Sequence, residues 1–220
     1  PLFASLLLTY RQDGWQAVKD LIRSGFQLRM KAIWWISILV LPFILAAPAM
    51  WINMGLSDYK PDTSLLSQPL MILPTFLFMF FLGGSFQEEF GWRGYALPRM
   101  LRMWNPLVAS LILGTIWGAW HIPLFYISGT GQVFMPLGLF ILLANTFSIL
   151  TTWFFLKTNR NLFSSLLLHT SVNTSLSVFP PIEQVVGGNQ QAFTYLFIIY
   201  AIVILIIIVI DRKLWVKRST

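Results

Sequence analysis

Six residues of this chain have types and spacings that could do chemistry together: Glu88, Glu89, Arg93, His121, His169 and Asn173. Only three glutamates occur in the 220 residues, and two of them stand side by side after an apolar run over 70–82. A charge in or beside hydrocarbon is costly unless it is paired, hydrated or used, so such residues are functional candidates by default. On a helix, Glu89 and Arg93 are four apart with the acid first, the favourable orientation for a pair on one face. Glu88 points about 100° away from Glu89. One carboxylate therefore has a ready partner, and the other is left as a candidate general base.

Both histidines of the chain fall in apolar stretches. His121 follows Trp117 by four residues, and His169 precedes Asn173 by four. The second spacing puts His169 and Asn173 on one helix face, able to meet one ligand. A lone intramembrane histidine is most simply an interhelical hydrogen-bonding group. The position of Asn105-Pro106 argues for more. That turn signal lies midway between 88 and 121, so helices running up to it and back bring Glu88 and His121 to one depth, each ~25 Å from the turn. One carboxylate, two imidazoles and one amide can then converge from three helices. Glu88, His121 and His169 could instead furnish three zinc ligands with water in the fourth position. No HExxH helix is present to support zinc independently.

The elements that must position these residues are membrane helices. Hydrophobic residues make up 56% of the chain and charged residues 10%, with a mean hydropathy of +0.70. A soluble domain of this size needs far more surface charge. Six apolar runs approach or exceed a bilayer's thickness: 32–52, about 69–102, 107–127, 134–156, 162–179 and 191–210. Pro74 and Gly83-Gly84 are expected to kink or break the second. Residues 11–31 read as an amphipathic interfacial helix, and 1–10 as the tail of an earlier apolar segment, so the chain is read as a fragment lacking its N-terminal part. Asn145, Thr146 and Ser148 are read as interhelical hydrogen-bonding groups.

The net charge of +7 is spread between the apolar runs and forms no single patch, which argues against nucleic acid. Fourteen of the 15 basic residues fall on alternate connections: five in 11–31, three in 93–102, two in 157–160 and four in 212–218. Lys60 alone falls on the other side. The rich side is expected to be cytoplasmic, together with the C-terminus. Arg99 and Arg102 are read as part of that bias, with attraction of an anionic substrate terminus as the alternative. Without cysteine, disulfide and thiol chemistry are excluded.

Glu88-Glu89-x-x-x-Arg93, Trp117-x-x-x-His121 and His169-x-x-x-Asn173 together resemble the three-motif signature of the CPBP family. These are intramembrane proteases that include the type II CAAX prenyl endopeptidases and the bacterial Abi proteins. Trp92-Arg93-Gly94-Tyr95 and Leu97-Pro98-Arg99 are also similar to the family's first motif. The resemblance covers about 70–180. Trp117 departs from it, since the second motif more often has phenylalanine. The resemblance implies that Glu88 and His121 activate a water, that His169 and Asn173 bind the oxyanion, and that Glu89 and Arg93 support the site.

The expected protein is an all-α polytopic transmembrane bundle with a membrane-embedded polar site: 1–31 is the tail plus interfacial helix, and 32–220 the bundle. The expected function is intramembrane endopeptidase, acting without a favoured cofactor and with Zn2+ as the alternative. Its substrate would be a peptide or protein in or at the bilayer, of prenylated CAAX type if the family name applies, and its location the bacterial cytoplasmic membrane. The rival readings are a non-catalytic bacteriocin-immunity or abortive-infection protein and, third, a transporter or proton relay.

Overall fold

The computed structural model of the chain describes residues 1–58, 60–181 and 190–216. The loop containing Glu183 and Gly187-Gly188, and the tail residues Lys217, Arg218 and Ser219, lie outside them. The described residues are all-α. In chain order the helices are α1 (Leu2–Ser24), α2 (Ala32–Leu56), α3 (Ser64–Ser67), α4 (Ile72–Phe81), α5 (Ser85–Glu89), α6 (Leu97–Met103), α7 (Pro106–Trp120), α8 (Leu137–Lys157), α9 (Leu162–Val178), α10 (Gln191–Ile210) and α11 (Arg212–Val216).

Among the described residues, five segments are long and apolar enough to cross a membrane: Ala32–Leu56, Pro69–Met103, Pro106–Tyr126, Leu137–Lys157 and Gln191–Ile210. The run at 162–179, expected as a sixth, is not among them. Its helix α9 has 17 residues, 13 of them buried, and serine or threonine recurs on every face. Such a composition suits a helix surrounded by protein, and α2, α4, α5 and α8 all pack on it. It still runs the length of the bundle beside α2. Phe163 lies against Trp35 near one end, with ring centroids 5.7 Å apart, and Phe179 against Trp51 near the other, at 5.9 Å.

The long second run breaks where the sequence predicts. At Gly83-Gly84 the helix stops, with Gly84 at φ +103°, a conformation that side chains avoid. The break frees carbonyls at the end of α4. Gln87 Nε2 donates to Phe81 O at 2.5 Å and Asn173 Nδ2 to Gly83 O at 3.0 Å. Beyond Glu89 the chain runs as a π-helix over Phe90–Ala96 before α6, a local widening frequent at functional sites. At the hairpin, Asn105 caps α7 by accepting from Val108 N, and Pro106 occupies the first helical position.

The expected division of 1–31 at Tyr10/Arg11 is not where α1 changes. The helix runs through it and breaks at Gly14, at φ +79°. α1 docks on the π-helical stretch: Gln12 Oε1 accepts from Tyr95 Oη and Arg99 Nη2, and Asp13 pairs with Arg99 at 3.3 Å. Arg99 also stacks over the Tyr95 ring. These contacts tie Arg99 to α1. The polar groups of α8 do bridge helices, as expected: Ser148 Oγ donates to Ser110 O and Asn145 Nδ2 to Thr115 Oγ1 on α7. Thr146 instead bonds back to Leu143 O within α8.

One end of the bundle brings together the described stretches around 27–34, 153–161 and 211, which flank three of the basic clusters. Trp34 meets Trp153, Asn161 Nδ2 donates to Gln27 O, and Lys157 and the Trp153 indole both bind Asp211.

Candidate active site

The site forms around a cavity of about 250 Å³ whose walls include Gly83, Glu88, Trp117, His121, His169 and Asn173. All four residues expected to act directly on a substrate thus reach one space, from α5, the end of α7, and α9. Glu89 and Arg93 stand behind it, fully buried.

The i, i+4 pair forms as the spacing predicts. Arg93 Nη1 donates to Glu89 Oε1 at 2.8 Å, with both side chains sealed from solvent. The same oxygen takes His169 Nδ1 at 2.9 Å. A carboxylate can only accept, so Nδ1 carries the hydrogen, and the ring is turned with Nε2 away from Glu89. Glu89 therefore joins the first motif to the third. The other Glu89 oxygen and two guanidinium nitrogens, Nε and Nη2, have no partner among the described residues.

Glu88 is 6% exposed and has no cation paired to it among the described residues. It is not partnerless: the Trp117 indole Nε1–H donates to Glu88 Oε2 at 2.6 Å. Below it lies Gly84, where a Cβ would sit 2.7 Å from Glu88 Oε1. The positive φ favours glycine at 84, and a side chain there would also displace the carboxylate from its place.

His121 lies where α7 ends. Pro123 has no N–H to continue the ladder, and the chain tightens into a 3₁₀ turn over Ile122–Tyr126. The apolar segment continues to Tyr126 as expected, but its α-helical part ends at Trp120, which leaves the imidazole half-buried at the helix end. His121 Nδ1 lies 2.8 Å from Trp117 O. The carbonyl only accepts, so Nδ1 carries the hydrogen and, in the neutral ring, Nε2 presents a lone pair. Asn173 spends one amide hydrogen on Gly83 O and keeps a second.

Trp117 is the member whose part the spacing alone did not reveal. Besides holding Glu88, its ring lies edge-on to His121 (5.6 Å) and His169 (5.5 Å), and the Arg93 guanidinium carbon is 5.2 Å from its centroid. Its four-residue separation from His121 and its indole N–H were the available signals.

A metal fits this arrangement poorly. Glu88, His121 and His169 line one cavity, yet among the described residues no three His, Asp or Glu side chains are grouped to hold an ion.

A bundle of apolar helices that gathers a carboxylate, two imidazoles and an amide around one cavity belongs to the class of integral, multi-pass membrane proteins with an internal polar site. Residues 69–175 match the family model described as type II CAAX prenyl endopeptidase Rce1-like. The chain is also similar to CAAX prenyl protease 2 of Methanococcus maripaludis, 29% identical over 104 residues, 44% of this chain. That alignment spans 38% of the relative's length. Over its central part the chain is thus similar to type II CAAX prenyl endopeptidases, and it spans well under two thirds of the relative's length.

Proposed function

We propose that this chain is an intramembrane endopeptidase that hydrolyses a peptide bond of a membrane-associated protein without a metal ion. The observation that carries the reading is the meeting of Glu88, His121, His169 and Asn173 on the wall of one cavity. A water between Glu88 and His121 would lose a proton to the Glu88 carboxylate, and the hydroxide would add to the scissile carbonyl. His121 Nε2, with its lone pair, would accept a hydrogen bond from that water. The oxyanion would take hydrogen bonds from the second Asn173 amide hydrogen and from His169 Nε2. Because His169 already gives its Nδ1 hydrogen to Glu89, it can donate from Nε2 only as the imidazolium. Glu88 would then return its proton to the leaving amine.

The substrate class suggested by the relative's name is a protein with a prenylated CAAX terminus. The deciding experiment compares the membrane peptides of a wild-type strain with those of one carrying Glu88→Ala. Cleavage products that vanish from the variant identify the substrate, and products ending at a prenylated cysteine establish the CAAX type. An unchanged peptide inventory would favour the non-catalytic immunity reading.

The basic end of the bundle is proposed to face the cytoplasm, on the strength of the charge bias that places Arg29, Lys31, Lys157, Arg160, Arg212 and Lys213 there. In this cysteine-free chain, Trp104→Cys and Arg212→Cys should label only from the cytoplasm, and Lys60→Cys only from outside. The reverse pattern would invert the topology.

A further inference from the structure

We infer that Trp117 is a positioning residue for the base, holding one oxygen of Glu88 so that the other is offered to the attacking water. The inference rests on the proposed role of Glu88. Glu88 has no cation to fix it, in contrast to Glu89, and a glutamate left to itself samples several rotamers. Two features restrict it here. The Trp117 Nε1–H pins Oε2 at 2.6 Å, and Oε1 lies over the bare backbone of Gly84, 2.7 Å from where a Cβ would stand. Oε1 has no hydrogen-bond partner among the described residues, and Glu88 lines the cavity.

The indole suits this task for a chemical reason. It is a donor only, so it binds the carboxylate in its accepting form and cannot itself take the proton that the base must remove. A phenylalanine, more usual at this place in the second motif, fills similar space and offers no donor. The ring's edge contacts with His121 and His169, and its place by Arg93, then explain why the donor cannot swing away. Trp117 thus ties the base to the other motifs by packing and to the reaction by a single hydrogen bond.

The test separates the hydrogen from the ring. Tryptophan's sulfur isostere, 3-benzothienylalanine, installed at 117 alone by codon suppression, keeps the bicyclic shape and removes the N–H. With the substrate found for the wild-type enzyme, kcat is expected to fall on the order of tenfold to a hundredfold, the scale of one hydrogen bond to a charged group. KM and the unfolding temperature should stay near wild type. Trp117→Phe should lower kcat at least as far. In ¹⁵N-indole spectra, the resonance absent from Trp117→Phe should lie downfield in the native protein and move upfield in Glu88→Gln. An isostere that turns over at the native rate, or a resonance indifferent to Glu88→Gln, overturns the inference. Should the isostere not fold, the resonance decides. If Glu88→Gln itself keeps native turnover, the assignment of the base has failed and this inference with it. If Glu88→Gln is inactive while the isostere is fully active, only the role of Trp117 is lost.

Discussion

Glu88→Gln is expected to cost on the order of 10²–10⁴ in kcat, the range attributed to a positioned general base, while leaving the fold intact. The substitution keeps the shape of the side chain, and the amide oxygen can still accept from Trp117 Nε1, so packing on the cavity wall is conserved. What is lost is the ability to take a proton from water and return it to the leaving amine. Turnover in proteoliposomes and thermal unfolding in detergent, measured on the same preparations, check both halves. Near-native turnover would remove Glu88 from the role of base. Elemental analysis of these preparations bears on the metal-free reading as well. One tightly bound zinc per active chain, lost in Glu88→Gln, His121→Ala and His169→Ala together, would replace that mechanism by a metal-assisted one.

Arg93→Met should be the most destabilising single change in the site. The guanidinium is fully buried with Glu89, and its removal leaves a carboxylate inside the bundle with His169 as its one remaining partner. Breaking a buried pair from one side typically costs about 3–5 kcal/mol, because the remaining charge is left uncompensated. For a chain of this size the unfolding temperature should drop on the order of 10 °C. Since Glu89 also orients His169, any folded fraction should lose activity as well. Adding Glu89→Gln to Arg93→Met removes the stranded charge, so the double variant should be more stable than Arg93→Met alone. Unfolding of Arg93→Met that matches the wild type, or a double variant destabilised by the sum of the single changes, would show that the pair does not hold the site together.

Much of this architecture is legible in the residues because it depends on local spacing or on composition. Glu89 meets Arg93 because four residues make one helical turn, a relation that the π-helical widening at Phe90–Ala96 does not break. The turn at Asn105-Pro106 follows from a capping side chain and a proline at the first helical position, where its missing N–H costs nothing. The break at Gly83-Gly84 follows from residues that favour leaving the helix, and the membrane setting from long runs without charge.

Other features were decided only by tertiary packing, which spacing along one helix does not report. Glu88, free by its own sequence, receives a partner because the rotation and height of α7 against α5 bring the Trp117 indole to it. The Nδ1 of His169 and the donor of Asn173 are engaged by α5 and by the carbonyl that the break exposes at Gly83. Arg99, which reads as a positive-inside cation, is claimed by α1 across more than 80 residues of chain. The run at 162–179 reads as one more membrane span until its neighbours are in place. Its serines and threonines are tolerated because protein surrounds α9, and burial of that kind belongs to the assembled bundle rather than to the segment.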